Sequence, residues 1–263
     1  MLGRIDYLPE ESYAAAINAL NLAHYSSETS FYVRPHLRDC ERRMCAALEP
    51  SRRIHDVGCG AGRVLGALPD GLQAVGLDIN FAAVSAAKVG GNGNNALNAS
   101  MTSLPFRDAS FDEVWCLRFS FNAIAAQTAR LHALEEFWRV CASGGRIAVE
   151  VFNWHHGGRW GLLRAGNLLE LLARRLQYLG SRRSPWMPDR DILYLANKVD
   201  QAAPGYAHLT HQKEITVLAR QAGYDEDAIV TSESSFLSAN PVPVARTFRE
   251  YSMWLIARKK PLD

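Results

Sequence analysis

Residues 54–65 read Ile-His-Asp-Val-Gly-Cys-Gly-Ala-Gly-Arg-Val-Leu, and they give the strongest indication of the fold. A short apolar run leads into a turn with glycine at positions 58, 60 and 62, and a helical pattern follows at once. Small residues at such a turn let backbone N–H groups approach a ligand, and the N-terminus of the following helix adds a positive partial charge. The pattern therefore predicts a strand, a ligand-binding turn and a helix.

An acidic residue closes the next apolar run. Residues 74–77 are followed by Asp78, at the distance from the glycine turn where a nucleotide-binding βαβ unit places an acid beside the ribose hydroxyls. The dinucleotide fingerprint would need a further glycine at position 63, where this chain has Arg63. The glycine spacing therefore differs from that of dinucleotide-binding proteins.

Three segments, in order along the chain, resemble one family. The spacing Asp56-x-Gly58-x-Gly60-x-Gly62 is similar to the first motif of class I S-adenosylmethionine-dependent methyltransferases. Leu-Pro-Phe at 104–106 with Ser-Phe-Asp-Glu-Val at 110–114 resembles a second family signature, and residues 137–146 resemble the turn before the family's fifth strand. Three ordered matches across residues 54–151 are more specific than any one of them. The alternative is a nucleotide-type βαβ fold that binds no methyl donor.

The resemblance implies an α/β fold with a seven-stranded, mostly parallel sheet flanked by helices, in which the last strand is antiparallel. We expect one methyltransferase domain over residues 1–263, made of an N-terminal helical lid (1–50), a cofactor-binding core (51–156), an inserted helical cap after the fifth strand (157–201) and the remaining strands and helix of the core (202–263). The expected helices are 11–22, 37–48, 81–89, 128–142 and 215–222, and the expected later strands are 96–101, 111–117, 146–152, 228–232 and 251–258. Asn80 is expected to cap the helix at 81–89, and Thr210 or His211 the helix at 215–222.

The resemblance also implies which residues bind S-adenosylmethionine. The glycines of the turn would shape the site of its methionine end, Asp56 would link to its amino group, and Asp78 would hold its ribose. Many family members have an aspartate that accepts a hydrogen bond from the adenine; this chain has Ser100 there, so Ser100 or Met101 would take that role. Tyr25 and Tyr32 would cover the cofactor or line the substrate cavity, or else are ordinary half-buried aromatics. The cofactor-binding candidates are Tyr25, Tyr32, Asp56, Gly58, Cys59, Gly60, Gly62, Asp78, Ile79, Ser100, Met101 and Leu117.

Catalytic candidates follow the fourth and fifth strands, because open α/β sheets bind ligands beyond the carboxyl ends of their strands. Arg118 would hold an anionic group of the substrate by a bidentate contact, or else form a surface ion pair. His155 or His156 would act as general base for methyl transfer to oxygen or nitrogen; the alternative for each is a polar loop residue. His208 is a further base candidate. Two adjacent histidines without a nearby ligand cluster do not indicate a metal, so we expect none.

Composition sets limits on function. The chain has 263 residues, of which 48% are hydrophobic, enough for a sizeable core. A formal net charge of +2 and a pI near 8.3 predict no general attraction to nucleic acid. The five cysteines form no C-x-x-C pair and the start lacks the features of a signal peptide, which indicates reduced thiols in a cytoplasmic protein.

Residues 157–201 do not share the family resemblance. They combine a leucine-rich helical pattern with arginines, seven of which lie between 159 and 190. We interpret the segment as a cap over the substrate opening; its apolar face would cover the substrate, pack on the N-terminal helices, form a homodimer contact or lie weakly on a membrane surface. The pattern is too interrupted to cross a bilayer. Monomer and homodimer both stay open.

The function predicted from these features is methyl transfer from S-adenosylmethionine to a small-molecule acceptor, at oxygen or nitrogen, by in-line displacement. The apolar and aromatic lid favours a compact acceptor. RNA, in particular tRNA, is the alternative acceptor because of the arginines between 159 and 190. A second alternative is a catalytically inactive protein that binds S-adenosylmethionine and serves as a scaffold. A methylation assay on a metabolite extract would separate the enzyme from the scaffold.

Overall fold

The computed structural model describes residues 10–27, 36–69, 71–91, 95–158, 165, 169, 191–194, 205–245 and 248–261. Within these ranges the helices are α1 (Glu10–Ser27), α2 (Asp39–Ala46), α3 (Phe81–Val89), α4 (Gln127–Val140) and α5 (Gln212–Gln221). The strands are β1 (Arg53–Val57), β2 (Gln73–Asp78), β3 (Ala96–Asn98), β4 (Phe111–Cys116), β5 (Cys141–Phe152), β6 (Asp191–Tyr194), β7 (Gly205–His208), β8 (Ile229–Thr231) and β9 (Ser252–Arg258). Short 3-10 helices occupy Leu65–Ala67 and Ser120–Ala123.

The main sheet has seven strands in the order β3-β2-β1-β4-β5-β9-β8. β1 pairs in parallel with both β2 and β4, β2 pairs in parallel with β3, and β4 with β5. β9 is antiparallel to both of its neighbours, β5 and β8. The prediction of a seven-stranded, mostly parallel sheet with an antiparallel last strand is confirmed.

Alternating side chains of the central strands explain why helices pack on both faces of the sheet. In β4, Val114 and Cys116 belong to the larger apolar cluster, whereas Trp115 belongs to a smaller one. Helices α4 and α5 contribute to the larger cluster, for example through Phe137, and α2 contributes to the smaller cluster, for example through Met44. Both faces of the central strands are therefore buried, which leaves the ends of the strands as the place for a site.

The helix expected directly after the glycine turn is not formed. Residues 61–64 make turns, and Leu65–Ala67 makes a single 3-10 turn before Pro69. Glycine and proline are poor helix formers, and Gly62, Gly66 and Pro69 fall within this short stretch. The helix dipole expected beside the turn is therefore missing from this described stretch, and the local N–H groups are those of the turn itself.

Most other predicted elements are present with shifted limits. α1 continues past the predicted end at residue 22 to Ser27. α4 ends at Val140 and β5 begins at Cys141, whereas the sequence predicts helix to 142 and strand only from 146. Both predicted caps are confirmed, because the Asn80 side chain accepts hydrogen bonds at the start of α3 and His211 Nδ1 accepts one at the start of α5.

A second sheet was not predicted from the sequence. β6 and β7 pair antiparallel, with Asp191 opposite His208 and Tyr194 opposite Gly205. β6 lies inside the segment interpreted as a helical cap, so this part of the cap is a strand. Apart from positions 165 and 169, the other predicted features of residues 159–190 and 195–201 lie outside the described residues.

The cysteines behave as ordinary buried thiols. All five are free and buried. Burial raises the pKa of the Cys45 thiol to about 11, so this thiol is protonated and unreactive near neutral pH. Among the described residues, no helix combines the length and the apolar character needed to span a bilayer.

Candidate active site

A cavity of about 680 Å³ opens at the carboxyl ends of β1, β2, β4 and β5. Open α/β sheets bind ligands at this edge, and ligand cavities commonly measure about 300–1,000 Å³. We divide the cavity into two halves, with α1 crossing both. The glycine-turn half is lined by Asp56, Gly58, Gly60, Asp78, Asn80 and residues 100–102. The β4–β5 half is lined by Arg118, Phe119, residues 122–126, Phe152, Tyr206, Ala207 and Tyr251.

Asp78, at the end of β2, is fixed in the glycine-turn half by the main chain. The N–H of Gly60 donates to Oδ2 and the N–H of Asn80 donates to Oδ1, each at 2.8 Å. Burial raises the pKa of this carboxyl, and the two backbone hydrogen bonds oppose that rise. Each carboxylate oxygen can accept more than one hydrogen bond. Asp78 is therefore positioned to accept hydrogen bonds from the hydroxyls of a ligand.

The glycine turn packs so closely on the loop after β4 that a side chain would not fit. Gly58 has φ +75°, and a Cβ built on it would lie 2.4 Å from the Cβ of Ser120. Ser120 Oγ donates to the carbonyl of Gly58 at 3.2 Å, which ties the two loops together. Gly60 also has positive φ and lines the cavity with Cys59. Gly62 has positive φ too, but it is not among the lining residues.

Asp56, near the end of β1, is a buried carboxyl that lacks a partner at one oxygen. The residue is 3% exposed, and Oδ2 has no hydrogen-bond partner among the described residues. Burial raises the pKa of Asp56 to about 7; the charge of Arg63 opposes this rise, and those of Glu41 and Asp78 add to it. A buried polar atom without a partner is costly, so it marks a place for a ligand donor.

Asn80 has a second role besides capping α3. Its Oδ1 accepts hydrogen bonds from the N–H of Ala82 and from the Ser26 hydroxyl of α1, at 3.1 and 3.2 Å. Its Nδ2 is buried and without a partner among the described residues, and the side chain lines the cavity. The capping role was predictable from sequence, whereas this free donor in the glycine-turn half was not.

The loop after β3 and the end of β2 complete the glycine-turn half. Ser100, Met101 and Thr102 all line the cavity, and Ser100 Oγ lies 2.8 Å from Thr102 Oγ1. Ile79 also lines it and is 50% exposed. This combination of small hydroxyls and an open apolar side chain suits the edge and the face of a planar ring.

Two fully buried glutamates bind two of the arginines that line the cavity, Arg38 and Arg63. Glu41 of α2 pairs with Arg63, whose Nη2 donates to Oε1 at 2.7 Å. Glu150 of β5 pairs with Arg38, whose Nη1 donates to Oε1 at 2.7 Å. Arg38 and Arg63 are thus neutralised by carboxylates. Sequence reasoning missed this network, although a charged residue inside the apolar run of β5 was a usable signal for Glu150.

Arg118 differs from the other two arginines. Its side chain is exposed in the cavity, and its guanidinium makes no hydrogen bond or ion pair with the described residues. Partial loss of hydration in the cavity lowers the pKa of the Arg118 guanidinium, and the positive charges of Arg63 and Arg38 lower it further. Arg118 and Phe119 have φ of +53° and +65°, a backbone strain that non-glycine residues keep mainly at functional sites. The N–H of Arg118 donates to Glu150 Oε2 at 2.8 Å, which secures this strained turn.

Helix α1 covers the cavity. Ala14, Asn18, Asn21, Leu22 and Tyr25 line it, and their spacing places them on one face of the helix. Near its two ends α1 is fastened by Tyr13, which donates to Asp191 at 3.0 Å, and by Ser26, which donates to Asn80. Tyr25 therefore lies where the sequence predicted a covering aromatic. Tyr32 lies outside the described residues. Leu117, the remaining predicted contact, is buried and also lines the cavity.

The two histidines predicted as general bases do not line the cavity. His156 Nδ1 lies 2.9 Å from the carbonyl oxygen of Arg249, and its ring packs on the edge of Tyr251. The ring of His155 lies against that of His211. Neither is among the described residues that border the cavity. A base at either position therefore stays a prediction, and the contacts described here do not support it.

His208 is buried beneath the β4–β5 half instead of facing into it. Its Nδ1 lies 2.7 Å from Asp191 Oδ1 and its Nε2 lies 2.8 Å from Glu214 Oε1. The residue is 2% exposed, and both ring nitrogens are engaged. These contacts join β6, β7 and α5. His208 therefore stabilises the wall of the cavity through its contacts with Asp191 and Glu214, and it does not face the cavity as a base would.

Comparisons with known proteins agree with this geometry. A family model described as a methyltransferase domain matches residues 55–149. The human protein described as probable tRNA methyltransferase 9B is 28% identical over 111 residues, which cover 42% of this chain and 24% of that protein, so the chain spans about a quarter of that relative's length.

Solved structures show the same fold. An S-adenosylmethionine-dependent methyltransferase from Methanosarcina mazei matches with a TM-score of 0.53 and 18% identity, covering 86% of this chain and 99% of that one. The CcbJ methyltransferase from Streptomyces caelestis matches with a TM-score of 0.59 and 13% identity, covering 91% of this chain and 99% of that one. At such identities the likeness concerns the fold.

Residues 55–149 match a methyltransferase domain, and the strand order and the likeness to solved methyltransferases show the corresponding fold. S-adenosylmethionine is the cofactor that such a domain implies. The glycine-turn half fits this cofactor. A Cβ at Gly58 would fill the close turn, and the partnerless atoms Asp56 Oδ2 and Asn80 Nδ2 offer one acceptor and one donor.

Proposed function

We propose that this chain is an S-adenosylmethionine-dependent methyltransferase that acts on a small-molecule acceptor, at an oxygen or nitrogen atom. The observation that carries the proposal is the β4–β5 half of the cavity, which is largely apolar and covered by α1. Phe119, Phe152 and Tyr251 contact one another, with the first two rings stacked at 3.8 Å between centroids. Such a wall suits a compact acceptor enclosed away from water.

We also propose which residues hold the cofactor. Asp78 accepts hydrogen bonds from its ribose hydroxyls, and Asn80 Nδ2 donates to one of them. Asp56 faces its amino group, directly or through water. Ser100 and Met101 border the adenine, with Thr102 and Ile79 beside them. These assignments rest on the lining of the cavity and on the partnerless atoms of Asp56 and Asn80.

When bound, S-adenosylmethionine supplies the methyl group and carries the leaving sulfur. The chain itself has to align the reactants and exclude water. When donor and acceptor are both held in place, the methyl carbon and the acceptor atom stay at near-attack distance. The glycine turn, which is hydrogen-bonded to Ser120, limits how deeply the cofactor enters the cavity. The strained turn at Arg118 and Phe119 sets the position of the acceptor. α1 closes the opening over both.

Two measurements test the proposal. Calorimetric titration with S-adenosylmethionine and S-adenosylhomocysteine should show micromolar binding that is lost in Asp78→Ala. Tritium from the labelled methyl group should then enter a low-molecular-mass compound when the wild type is incubated with a metabolite extract. Binding without transfer to any extract fraction would support the scaffold alternative instead.

An RNA acceptor is the second candidate, and one observation favours it. The relative described as probable tRNA methyltransferase 9B aligns with 42% of this chain. Total tRNA incubated with the protein and the labelled cofactor would become acid-precipitably labelled if RNA is the acceptor. Unlabelled tRNA, together with a labelled small compound that separates from S-adenosylmethionine and forms only when the metabolite extract is present, would support the small-molecule proposal.

A further inference from the structure

One side chain of α1 presents an unused hydrogen-bond acceptor at the cavity. Asn21 lines the cavity and is 7% exposed. Its Nδ2 donates to the carbonyl of Ala123 at 2.9 Å. Its Oδ1 is buried and has no partner among the described residues.

The contact with Ala123 fixes which way the carboxamide is turned. A carbonyl oxygen accepts only, so the atom facing it must be the amide nitrogen. Oδ1 is then directed away from Ala123 and can only accept. Leaving such an atom buried without a donor is unfavourable, so at the wall of a cavity it marks a place where a ligand can supply the donor.

Arg118 provides a second unused polar group in the same half of the cavity. The buried glutamates Glu41 and Glu150, which do not line the cavity, pair with Arg63 and Arg38. The guanidinium of Arg118 makes no ion pair with the described residues, and it is exposed to the cavity. A planar guanidinium of this kind holds carboxylate or phosphate oxygens in a bidentate manner.

The apolar surroundings make these two groups selective. The same half is lined by Phe119, Ile124 and Ala125, which offer no hydrogen bond from their side chains. A ligand in this half therefore meets the Arg118 cation and the Asn21 acceptor beside a largely apolar wall. A neutral ligand would leave Arg118 unpaired, and a ligand without N–H or O–H would leave Asn21 unpaired.

We propose that Asn21 and Arg118 together form the acceptor subsite. Its substrate class is a small organic anion that carries a neutral N–H or O–H group on an apolar frame: the anionic group pairs with Arg118, and the N–H or O–H donates to Asn21 Oδ1. This inference rests on the proposed small-molecule function and adds the charge and the hydrogen-bonding pattern of the acceptor. Asn21 is a positioning residue for the acceptor and has no role in holding the cofactor.

The test uses the full chain, tritium-labelled S-adenosylmethionine and a low-molecular-mass metabolite extract. The labelled product of the wild type is applied to a strong anion exchanger near neutral pH and should be retained. Product yield should fall at least about tenfold in Arg118→Gln and in Asn21→Leu, since each loses a hydrogen bond to a buried ligand. Affinity for S-adenosylhomocysteine, measured by calorimetry, should stay within about twofold of the wild type in both variants.

Matched controls come from residues outside the cavity. Arg107→Gln removes an exposed arginine whose side chain has no described partner. Asn95→Leu removes an asparagine whose Nδ2 donates to the carbonyl of Ala74 at 3.2 Å, as Asn21 does to Ala123. Both controls should keep the wild-type yield. Asn21→Ala should reproduce the loss seen in Asn21→Leu, which shows that the loss does not come from the bulk of leucine.

Each contrary result has a distinct meaning. A labelled product that passes through the anion exchanger overturns this inference and leaves the small-molecule function standing. Loss of S-adenosylhomocysteine affinity in Arg118→Gln assigns Arg118 to the cofactor and also overturns it. Label found only in RNA, or no transfer at all by a protein that binds the cofactor, overturns the proposed function and this inference with it.

Discussion

The two halves of the cavity are built in different ways. In the glycine-turn half, the lining residues Asp56, Gly58, Gly60, Asp78 and Asn80 all come from residues 56–80, and the N–H groups of Gly60 and Asn80 donate to Asp78. In the β4–β5 half, Asn21, Arg118 and Tyr206 come from distant parts of the chain. The first half therefore depends mainly on one segment of the chain, whereas the second depends on the packing of several separate elements.

Their electrostatics differ in the same way. The glycine-turn half presents one buried carboxyl, Asp56, and one half-buried carboxyl, Asp78, which suits a cofactor with a positive sulfonium and an amino group. The β4–β5 half presents the unpaired cation of Arg118. If cofactor and acceptor occupy the two halves as proposed, substitutions in one half should leave binding in the other half unchanged. The following changes test this separation.

The largest expected effect lies under the β4–β5 half. His208→Leu should lower the free energy of unfolding by about 3–5 kcal/mol, because the buried Asp191 and the partly buried Glu214 each lose a hydrogen bond with His208. Urea denaturation of the folded chain measures this. His132→Leu, at an exposed position of α4, is the control and should change stability little. An equal loss in both variants would contradict the role assigned to His208.

Cofactor binding should respond most to Asp78. Asp78→Ala should weaken S-adenosylmethionine binding about 100-fold, because hydrogen bonds to a charged acceptor are worth about 1.5–3 kcal/mol each. Calorimetry on wild type and variant gives the ratio, and circular dichroism confirms that the variant is folded. Asp227→Ala, an exposed aspartate, should bind like the wild type. Unchanged affinity in Asp78→Ala would show that the ribose lies elsewhere.

Gly58 tests the contact between the glycine turn and the loop after β4. Gly58→Ala should cost about 1–3 kcal/mol of stability, because its φ is positive and its Cβ would meet Ser120. Gly71→Ala, with positive φ but open space around it, isolates the backbone strain from the clash. The double variant Gly58→Ala/Ser120→Gly should recover part of the loss in thermal unfolding. No recovery would mean that the close packing on Ser120 is not the cause.

The smallest effect concerns pH. Asp56 has its pKa raised to about 7, so the free protein keeps this carboxyl protonated below that pH. If a positive amino group binds beside it, binding favours the ionised form, and affinity for S-adenosylmethionine should fall by up to about tenfold per pH unit below about pH 7. Calorimetry between about pH 5.5 and pH 7.5 measures the slope. Asp56→Asn should flatten it; an unchanged slope would remove Asp56 from the cofactor site.

The sequence alone predicted the sheet, the glycine turn, the position of Asp78 at the end of β2 and the helix cap at Asn80. These features depend on residues close together in the chain, so their spacing and conformational preferences can be read from the sequence. It failed for the helix after the glycine turn, because Gly62, Gly66 and Pro69 outweigh the apolar pattern there. The base at His155 or His156 stays a prediction; among the described residues these histidines contact His211 and the carbonyl of Arg249.

The acceptor side depended on the folded chain. Nothing near Asn21 in the sequence indicates that its amide would be held by Ala123, or that Glu41 and Glu150 would neutralise Arg63 and Arg38 and leave Arg118 unpaired. These are contacts between residues far apart along the chain, and they arise only when the sheet brings the loops after β4 and β5 beneath α1. Residues close together in the chain therefore build the glycine-turn half, and long-range packing builds the β4–β5 half, where we propose that the acceptor binds.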